Sequence, residues 1–328
     1  MIKRKKIIGK LAGWGELILL STFCFFFLFF LMNIVFPLKE KIPYSQQIVA
    51  SDNTLMYAFL SDDDKWRMLV KSEDINAQLR KAIIYKEDRF FYYHPGVNPV
   101  AILRAAFNNI IYRKRTSGAS TITMQVARLL YPKDRTYLNK FTEMFRSFQL
   151  EWRYSKEEIL NLYFNLVPYG GNIEGVKAAS LIYFGRKPDK MSLAQIVTLA
   201  IIPNRPGTLR PGANSDELIK ARNKWLRRMQ DDHLFPDALI TDALNEPIEA
   251  KRTELPKMAP HFSLRMHKQF PDMPIVRTNI NLHHQQQLTS IAEKYSKRLF
   301  GYGIYNASVM ILNNRTHTVD AYLGSADF

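Results

Sequence analysis

The feature that most constrains this chain is a long apolar segment near its N-terminus. Residues 17–38 form a run of 22 residues without a charged side chain, and several basic residues precede it (Lys3, Arg4, Lys5, Lys6 and Lys10). A helix of this length spans roughly 33 Å at about 1.5 Å per residue, enough to cross a hydrocarbon core of about 30 Å. The sequence therefore predicts a transmembrane anchor at 17–38, a cytoplasmic basic tail at 1–16, and everything later outside.

A cleaved signal peptide is the alternative interpretation of the same segment. Its apolar region would be shorter, typically about 7–15 residues, and a small-residue cleavage site would follow. Residues 36–41 (FPLKEK) contain no such site, which favours an uncleaved anchor. The single cysteine, Cys24, lies inside the apolar run, so a disulfide scaffold and a cysteine-based zinc site are both excluded.

Positive charge is concentrated in two stretches. The 328 residues include 46 Lys and Arg against 30 Asp and Glu, a formal net charge of +16. Residues 1–41 carry +5 of it and residues 102–153 carry +7. Outside a membrane, we expect the second stretch to face phosphates of lipids or of a lipid-linked substrate, not nucleic acid.

Hydrophobic periodicity predicts a mainly α-helical main domain that begins with a small β-hairpin in residues 46–70. Ser72 is predicted to cap a helix that runs toward Glu87. The segment 100–107 is apolar almost all round, and two alternatives stay open for it, a buried helix or partial insertion in a bilayer. Other predicted helices cover 121–130, 192–202, 216–229, 285–297 and a stretch after a capping box at 155–158, and predicted strands cover 307–312 and 319–323.

Clustered prolines predict a domain boundary late in the chain. Five prolines lie between residues 247 and 274. We therefore expect the main domain over 45–235, a linker over 236–277, and a tail over 278–328. The tail is too short for a self-sufficient domain, so we expect it to be the incomplete start of an α/β domain.

Three clusters could carry chemistry. The first, Glu87–Gly96, combines adjacent carboxylates with aromatic residues, conditions that raise a carboxylate pKa and suit a general base. An ion pair of Glu87 with Arg89 or a neighbouring helix is the alternative. The second, Arg115–Arg128, places a loop of small residues before a helix, which suits a phosphate or an ordinary helix start. The third, Lys140–Glu143, has i, i+3 spacing and by itself predicts a surface ion pair.

Taken together, the three clusters resemble the family 51 glycosyltransferase (peptidoglycan transglycosylase) module of class A penicillin-binding proteins. The matching motifs are Glu-Asp-x-x-Phe-x-x-His-x-Gly at Glu87–Gly96, Gly-x-Ser-Thr-x-Thr-x-Gln at Gly118–Gln125, and Lys-x-x-Glu at Lys140–Glu143. The resemblance covers roughly residues 45–230, and the tail from about residue 258 is most similar to the penicillin-binding protein 1C branch. Further matches are residues 159–165, Gly175, Ala178-Ala179, residues 183–186 and residues 203–207.

The resemblance implies a lysozyme-like fold and an enzyme that polymerises lipid II into glycan strands, with membrane and other cell-wall synthesis proteins as partners. Glu87 would be the general base, and Glu143 would position a divalent cation (Mg²⁺ or Mn²⁺) or the donor. Lys140 and Arg128 would stabilise the departing polyprenyl pyrophosphate. The remaining substrate-binding residues implied by the family are Asp88, Phe91, His94, Gly118, Ser120, Thr121 and Gln125.

The sequence departs from the family pattern in two places. Asn139 precedes Lys140 where the family usually has arginine, which removes one potential phosphate contact. The transpeptidase motifs Ser-x-x-Lys and Lys-Thr-Gly do not occur in these 328 residues, so we expect no covalent penicillin binding. The tail over 278–328 resembles only the incomplete start of a transpeptidase domain. Two rival functions stay open at this point, a lytic transglycosylase or muramidase, and a catalytically silent scaffold.

Overall fold

The structure is a computed structural model that describes residues 2–39, 41–112, 120–134, 136–209, 211, 215–248 and 252–325. Helices predominate among these residues, which confirms the predicted mainly helical class. The helices are α1 (Ile2–Val35), α2 (Ala77–Glu87), α3 (Pro99–Tyr112), α4 (Ile122–Leu130), α5 (Tyr137–Arg153), α6 (Lys156–Leu166), α7 (Val176–Phe184), α8 (Leu193–Ile201), α9 (Ser215–Asp231), α10 (Asp237–Asn245), α11 (Pro260–Gln269) and α12 (Leu282–Phe300). The strands are β1 (Gln47–Val49), β2 (Leu55–Ala58), β3 (Trp66–Arg67), β4 (Pro168–Gly170), β5 (Ile173–Glu174), β6 (Ile275–Arg277), β7 (Val309–Asn313) and β8 (Thr318–Leu323).

The main hydrophobic core lies around α2, α4, α6 and α8. Almost every residue of α8 is buried, because this helix packs against α2, α7, α9 and α10. α4 packs against α5 and α6, and six of its nine residues are buried. Short capping motifs define where these helices begin: the predicted capping box at Ser155 and Glu158 is confirmed, and Ser192 forms another with Gln195.

Small sheets flank the helices. The predicted hairpin is confirmed as β1 and β2, which pair antiparallel with Ile48 opposite Tyr57. β6 joins the other edge of β1 in parallel, so residues 275–277 of the predicted linker belong to this sheet. A second sheet has the order β3-β5-β4, and the predicted hairpin near the C-terminal end is confirmed as β7 and β8.

The C-terminal part of α1 packs against α5. Phe29 of α1 contacts Phe145 and Trp152 edge to face, and Asn33 accepts a hydrogen bond of 2.5 Å from Gln149. Within the described residues, we find no helix that is both long enough and apolar enough to span a membrane. The transmembrane anchor at 17–38 therefore stays a prediction.

The start of α2 differs from the prediction. Ser72 does not cap it: Ser72–Asp74 form a separate 3₁₀ turn, and the helix begins after Asn76, whose side chain accepts from the backbone N–H of Gln78 at 2.7 Å. Asn is as good a cap as Ser, and the intervening Ile75 is extended and buried. The predicted end of the helix near Glu87 is confirmed.

The apolar helix α3 is largely exposed. Val100, Leu103, Phe107 and Ile111 lie along one face, and each is more than half exposed, whereas Ala105 points into the protein. The buried-helix alternative for residues 100–107 is therefore wrong, because no surface among the described residues covers the large side chains. Exposed apolar stripes of this kind mark interaction surfaces.

Candidate functional site

The carboxylate of Glu87 is held where α2 ends. Glu87 is the last residue of the helix, and its side chain is only 10% exposed. Gln125 of α4 donates from Nε2 to Oε2 of Glu87 at 3.0 Å. Lys86 contacts the other oxygen, Oε1. The alternative pair with Arg89 does not form, because Arg89 pairs with Asp232 at 3.1 Å.

Asp88 joins the first cluster to the second. Its buried carboxylate lies 2.9 Å from Nε2 of His94 and accepts from the backbone N–H of Ile122 at 3.0 Å. Ile122 is the first residue of α4, whose N–H has no partner inside the helix. Asp88 and His94 therefore fix the α4 N-terminus beside Glu87, and Phe91 is fully buried beneath them.

Thr121 and Gly96 complete this connection. Thr121 caps α4 by accepting from Met124 N–H at 3.1 Å, and its hydroxyl donates to the Gly96 carbonyl at 2.5 Å. Gly96 has φ +86°, and a Cβ there would lie 2.8 Å from Glu151 Cγ and 3.0 Å from the Ser147 carbonyl oxygen of α5. Only glycine fits this close approach without strain.

The third cluster lies where α4 and α5 face each other. Lys140 Nζ donates to Ser120 Oγ at 2.8 Å and to Glu143 Oε2 at 2.9 Å. Arg128 of α4 lies 3.9 Å from the other Glu143 oxygen. The i, i+3 ion pair is confirmed, and two cations converge on the Glu143 carboxylate, one of which is also held by the Ser120 hydroxyl.

α4 links the two halves of the site. Gln125 and Arg128 are three residues apart and so share a helix face. Burial, together with the Glu87 charge, raises the pKa of Tyr163 well above its usual value, and Arg128 opposes that shift. Burial first and Glu87 second also raise the pKa of Tyr169. Both phenols therefore stay neutral, and their buried hydroxyl oxygens have no hydrogen-bond partner within the described residues.

A large apolar cavity lies beside the third cluster, between α1 and α5. Its volume is about 640 Å³, and Lys133, Thr142 and Arg146 line it together with apolar side chains. The same three residues border a small recess that includes Glu143. Glu87 is absent from the described lining of the cavity. The apolar lining consists of Leu28, Phe29, Met32, Phe36, Phe141, Met144, Phe145 and Phe148.

The arrangement around Glu143 fits a resident metal ion poorly. Its two oxygens face Lys140 and Arg128, and cations at both oxygens oppose a third positive charge. No three His, Cys, Asp or Glu side chains within the described part of the chain form a metal-binding group. The divalent cation near Glu143 stays a prediction.

Most predicted site residues thus lie in one region. Gly118 falls outside the described residues. Asn139 borders the recess that includes Glu143, and its side-chain amide donates to the Asp134 carbonyl at 2.8 Å. Sequence reasoning missed Lys86, although a charged residue next to Glu87 was a visible signal. It also missed Tyr163 and Tyr169, because only the packing of α6 and β4 brings them to Glu87.

Comparison with known proteins agrees with this geometry. The family model described as Transglycosylase matches residues 52–230. Penicillin-binding protein 1C of Escherichia coli K12 is 35% identical over 292 residues, covering 89% of this chain and 37% of that protein. Penicillin-binding protein 1A of the same organism is 34% identical over 235 residues, covering 70% of this chain and 27% of that protein. The chain thus spans little more than a third of the first relative's length and about a quarter of the second's. It belongs to the transglycosylase family.

Proposed function

We propose that this chain is a membrane-anchored peptidoglycan glycosyltransferase that polymerises lipid II into glycan strands. The observation that carries the proposal is that α4 places two different groups one turn apart. Gln125 binds the Glu87 carboxylate, and Arg128, one turn later, lies beside Glu143 together with Lys140. Transfer from a pyrophosphate donor needs a base at one end of the reaction and positive charge at the other.

In the proposed reaction, Glu87 removes the proton from the 4-hydroxyl of the acceptor sugar. That oxygen forms a bond to the anomeric carbon of the lipid-linked glycan chain as the bond to the pyrophosphate oxygen breaks. Attack from the opposite face inverts the anomeric centre, and polyprenyl pyrophosphate leaves. Lys140 and Arg128 stabilise the negative charge that develops on the pyrophosphate, and Glu143 and Ser120 hold the Lys140 ammonium in position.

The apolar cavity between α1 and α5 supports a lipid-linked donor. Its aromatic walls suit a hydrocarbon chain, and the cationic side chains Lys133 and Arg146 lie at its polar end, toward Glu143. A donor seated there would direct its pyrophosphate toward the third cluster while its chain stays in apolar surroundings.

We further propose that the protein sits in the bacterial inner membrane with its N-terminus cytoplasmic and its catalytic domain outside. The charge-free run at 17–38 and its basic flank support this topology. Exposed apolar side chains on α1, including Leu19, Phe23 and Phe27, and the stripe on α3 support contact with lipid.

Incubation of the full chain with labelled lipid II tests the reaction class. The proposal predicts a polymer that lysozyme digests, formed with release of polyprenyl pyrophosphate. Breakdown of preformed glycan with lipid II untouched would identify the chain as a lytic enzyme instead. With polymer formation measured, Lys140→Met should slow it, and Lys190→Met, at an exposed lysine far along the sequence, should leave it unchanged.

A further inference from the structure

We infer that Lys86 is a positioning residue whose ammonium group is the built-in counter-ion of Glu87. It would hold the carboxylate in place where both side chains are largely buried. The inference rests on the proposed function, because it assigns Lys86 a role in the same reaction. The motifs that define the family resemblance begin at Glu87, and they leave Lys86 without a role.

The contact depends on where α2 ends. Side chains at i and i+1 on a helix point in different directions and do not normally meet. Glu87 is the final helical residue, and Asp88 already has extended backbone, with φ −161°. The Glu87 side chain can therefore turn back to Lys86, while Gln125 holds its other oxygen at 3.0 Å. Each carboxylate oxygen thus has its own donor.

The surroundings of Lys86 make this pairing costly to break. Its side chain is 1% exposed, and its Nζ lies 5.7 Å from the centre of the Trp225 ring of α9. Arg228 stacks on the same ring at 5.2 Å. A buried ammonium without a counter-ion is strongly unfavourable, so Lys86 and Glu87 each depend on the other.

Other groups near Glu87 do not supply the same charge. Gln125 of α4 is neutral, and Arg128 on the same helix is directed to Glu143. Tyr163 of α6 and Tyr169 of β4 feel the Glu87 charge, but burial raises the pKa of each phenol, so both stay neutral. Among the described residues, Lys86 therefore provides the cation in direct contact with Glu87.

Removal of Lys86 should make Glu87 easier to protonate. The Glu87 carboxyl group must lose its proton before it can act as a base, and in the variant this would require a higher pH. The acidic limb of the pH–rate profile should therefore move to higher pH. Well above that limb the carboxylate is ionised without help, and the variant should recover its activity. A residue with a merely structural role would lower the rate by one factor at every pH.

The test is the pH profile of kcat/KM for lipid II polymerisation by the full chain carrying Lys86→Met. We expect the acidic limb to move to higher pH by about one unit, which corresponds to a tenfold loss of kcat/KM at pH values below the limb. Lys86→Arg should restore the wild-type profile. Lys81→Met is the matched control: Lys81 is on the same helix and lies over the Phe235 ring, but it is exposed and does not contact Glu87. An unshifted limb in Lys86→Met would overturn the inference.

Thermal unfolding gives a second measurement that needs no substrate. Lys86→Met and Glu87→Gln should each lower the midpoint temperature, and the double variant should lower it by less than the two shifts combined. Additive shifts would overturn the inference even if the reaction is as proposed. A wild-type chain that makes no polymer would instead count against the proposed function, and the unfolding measurement would still decide on the pair.

Discussion

The helices α3 and α4 are both rich in apolar residues, but they have opposite environments. Six of the nine residues of α4 are buried, and its start is tied to Asp88 and capped by Thr121. α3 exposes Val100, Leu103, Phe107 and Ile111 on one face. Apolar composition therefore predicts that each helix needs a surface to pack against. For α4 that surface is α5 and α6, whereas the apolar face of α3 is exposed.

The difference separates two kinds of function. α4 lies inside the protein and fixes Gln125 and Arg128, so changes there should alter stability and chemistry together. α3 lies at the surface, so changes there should alter the proposed contact with lipid and leave the fold intact. The four predictions that follow rank from the largest expected effect on stability to the smallest.

Replacement of Asp88 should have the largest effect. Asp88→Ala leaves His94 and the Ile122 N–H buried without their partner, which we expect to lower the free energy of unfolding by about 3–5 kcal/mol. Urea unfolding followed by circular dichroism measures it. Asp62→Ala, on an exposed turn, is the control and should stay within about 0.5 kcal/mol of wild type. Equal effects of the two variants would show that Asp88 does not anchor α4.

Truncation of core and surface side chains compares the two helices directly. Met124 is fully buried in α4, so Met124→Ala should cost about 2–5 kcal/mol of unfolding free energy. Leu103 of α3 is 71% exposed, so Leu103→Ala should change it by less than about 0.5 kcal/mol. The same urea titration measures both, and a large loss for Leu103→Ala would contradict the contrast between the helices.

Removal of the α4 cap should have a smaller effect. Thr121→Val keeps the shape of the side chain but loses the hydrogen bonds to Met124 N–H and the Gly96 carbonyl. We expect a loss of about 1–2 kcal/mol by thermal or urea unfolding. Thr241→Val is the control, since its hydroxyl donates to a carbonyl on an exposed helix. Equal losses of unfolding free energy in the two variants would show that Thr121 does not stabilise the protein by capping α4.

We expect the smallest effect on stability from a fluorescent label attached to the exposed face of α3. In a Cys24→Ser background, Leu103→Cys carrying an environment-sensitive fluorophore should unfold like wild type. In proteoliposomes its emission should shift to the blue and brominated lipids should quench it. Ile291→Cys on α12, 55% exposed, is the matched site and should show neither change. A water-like signal from Leu103→Cys would argue against lipid contact.

Local signals explain what could be predicted from the sequence. The capping box at Ser155 and Glu158 needs only residues within one turn, and the structure has it as predicted. The spacing of the three motifs was enough to identify the family. The Lys140–Glu143 pair likewise follows from i, i+3 spacing alone.

The predictions that differ from the structure concern features that depend on contacts between residues far apart in the sequence. The parallel pairing of β1 with β6 joins residues more than 200 positions apart, and proline content suggested a linker there instead. Ser72 and Asn76 are both good caps, so only packing of Ile75 selects between them. The exposure of α3 depends on which surfaces the fold leaves uncovered, and periodicity carries no information about that.

The most direct test of the central claim is the rate of lipid II polymerisation by Glu87→Gln in detergent. The amide has the same size as the carboxylate but cannot take up the proton of the acceptor sugar hydroxyl. We therefore expect the rate to fall by about 10²–10⁴-fold. Circular dichroism would establish that the variant is folded. A folded Glu87→Gln variant that polymerises lipid II at the wild-type rate would contradict the account.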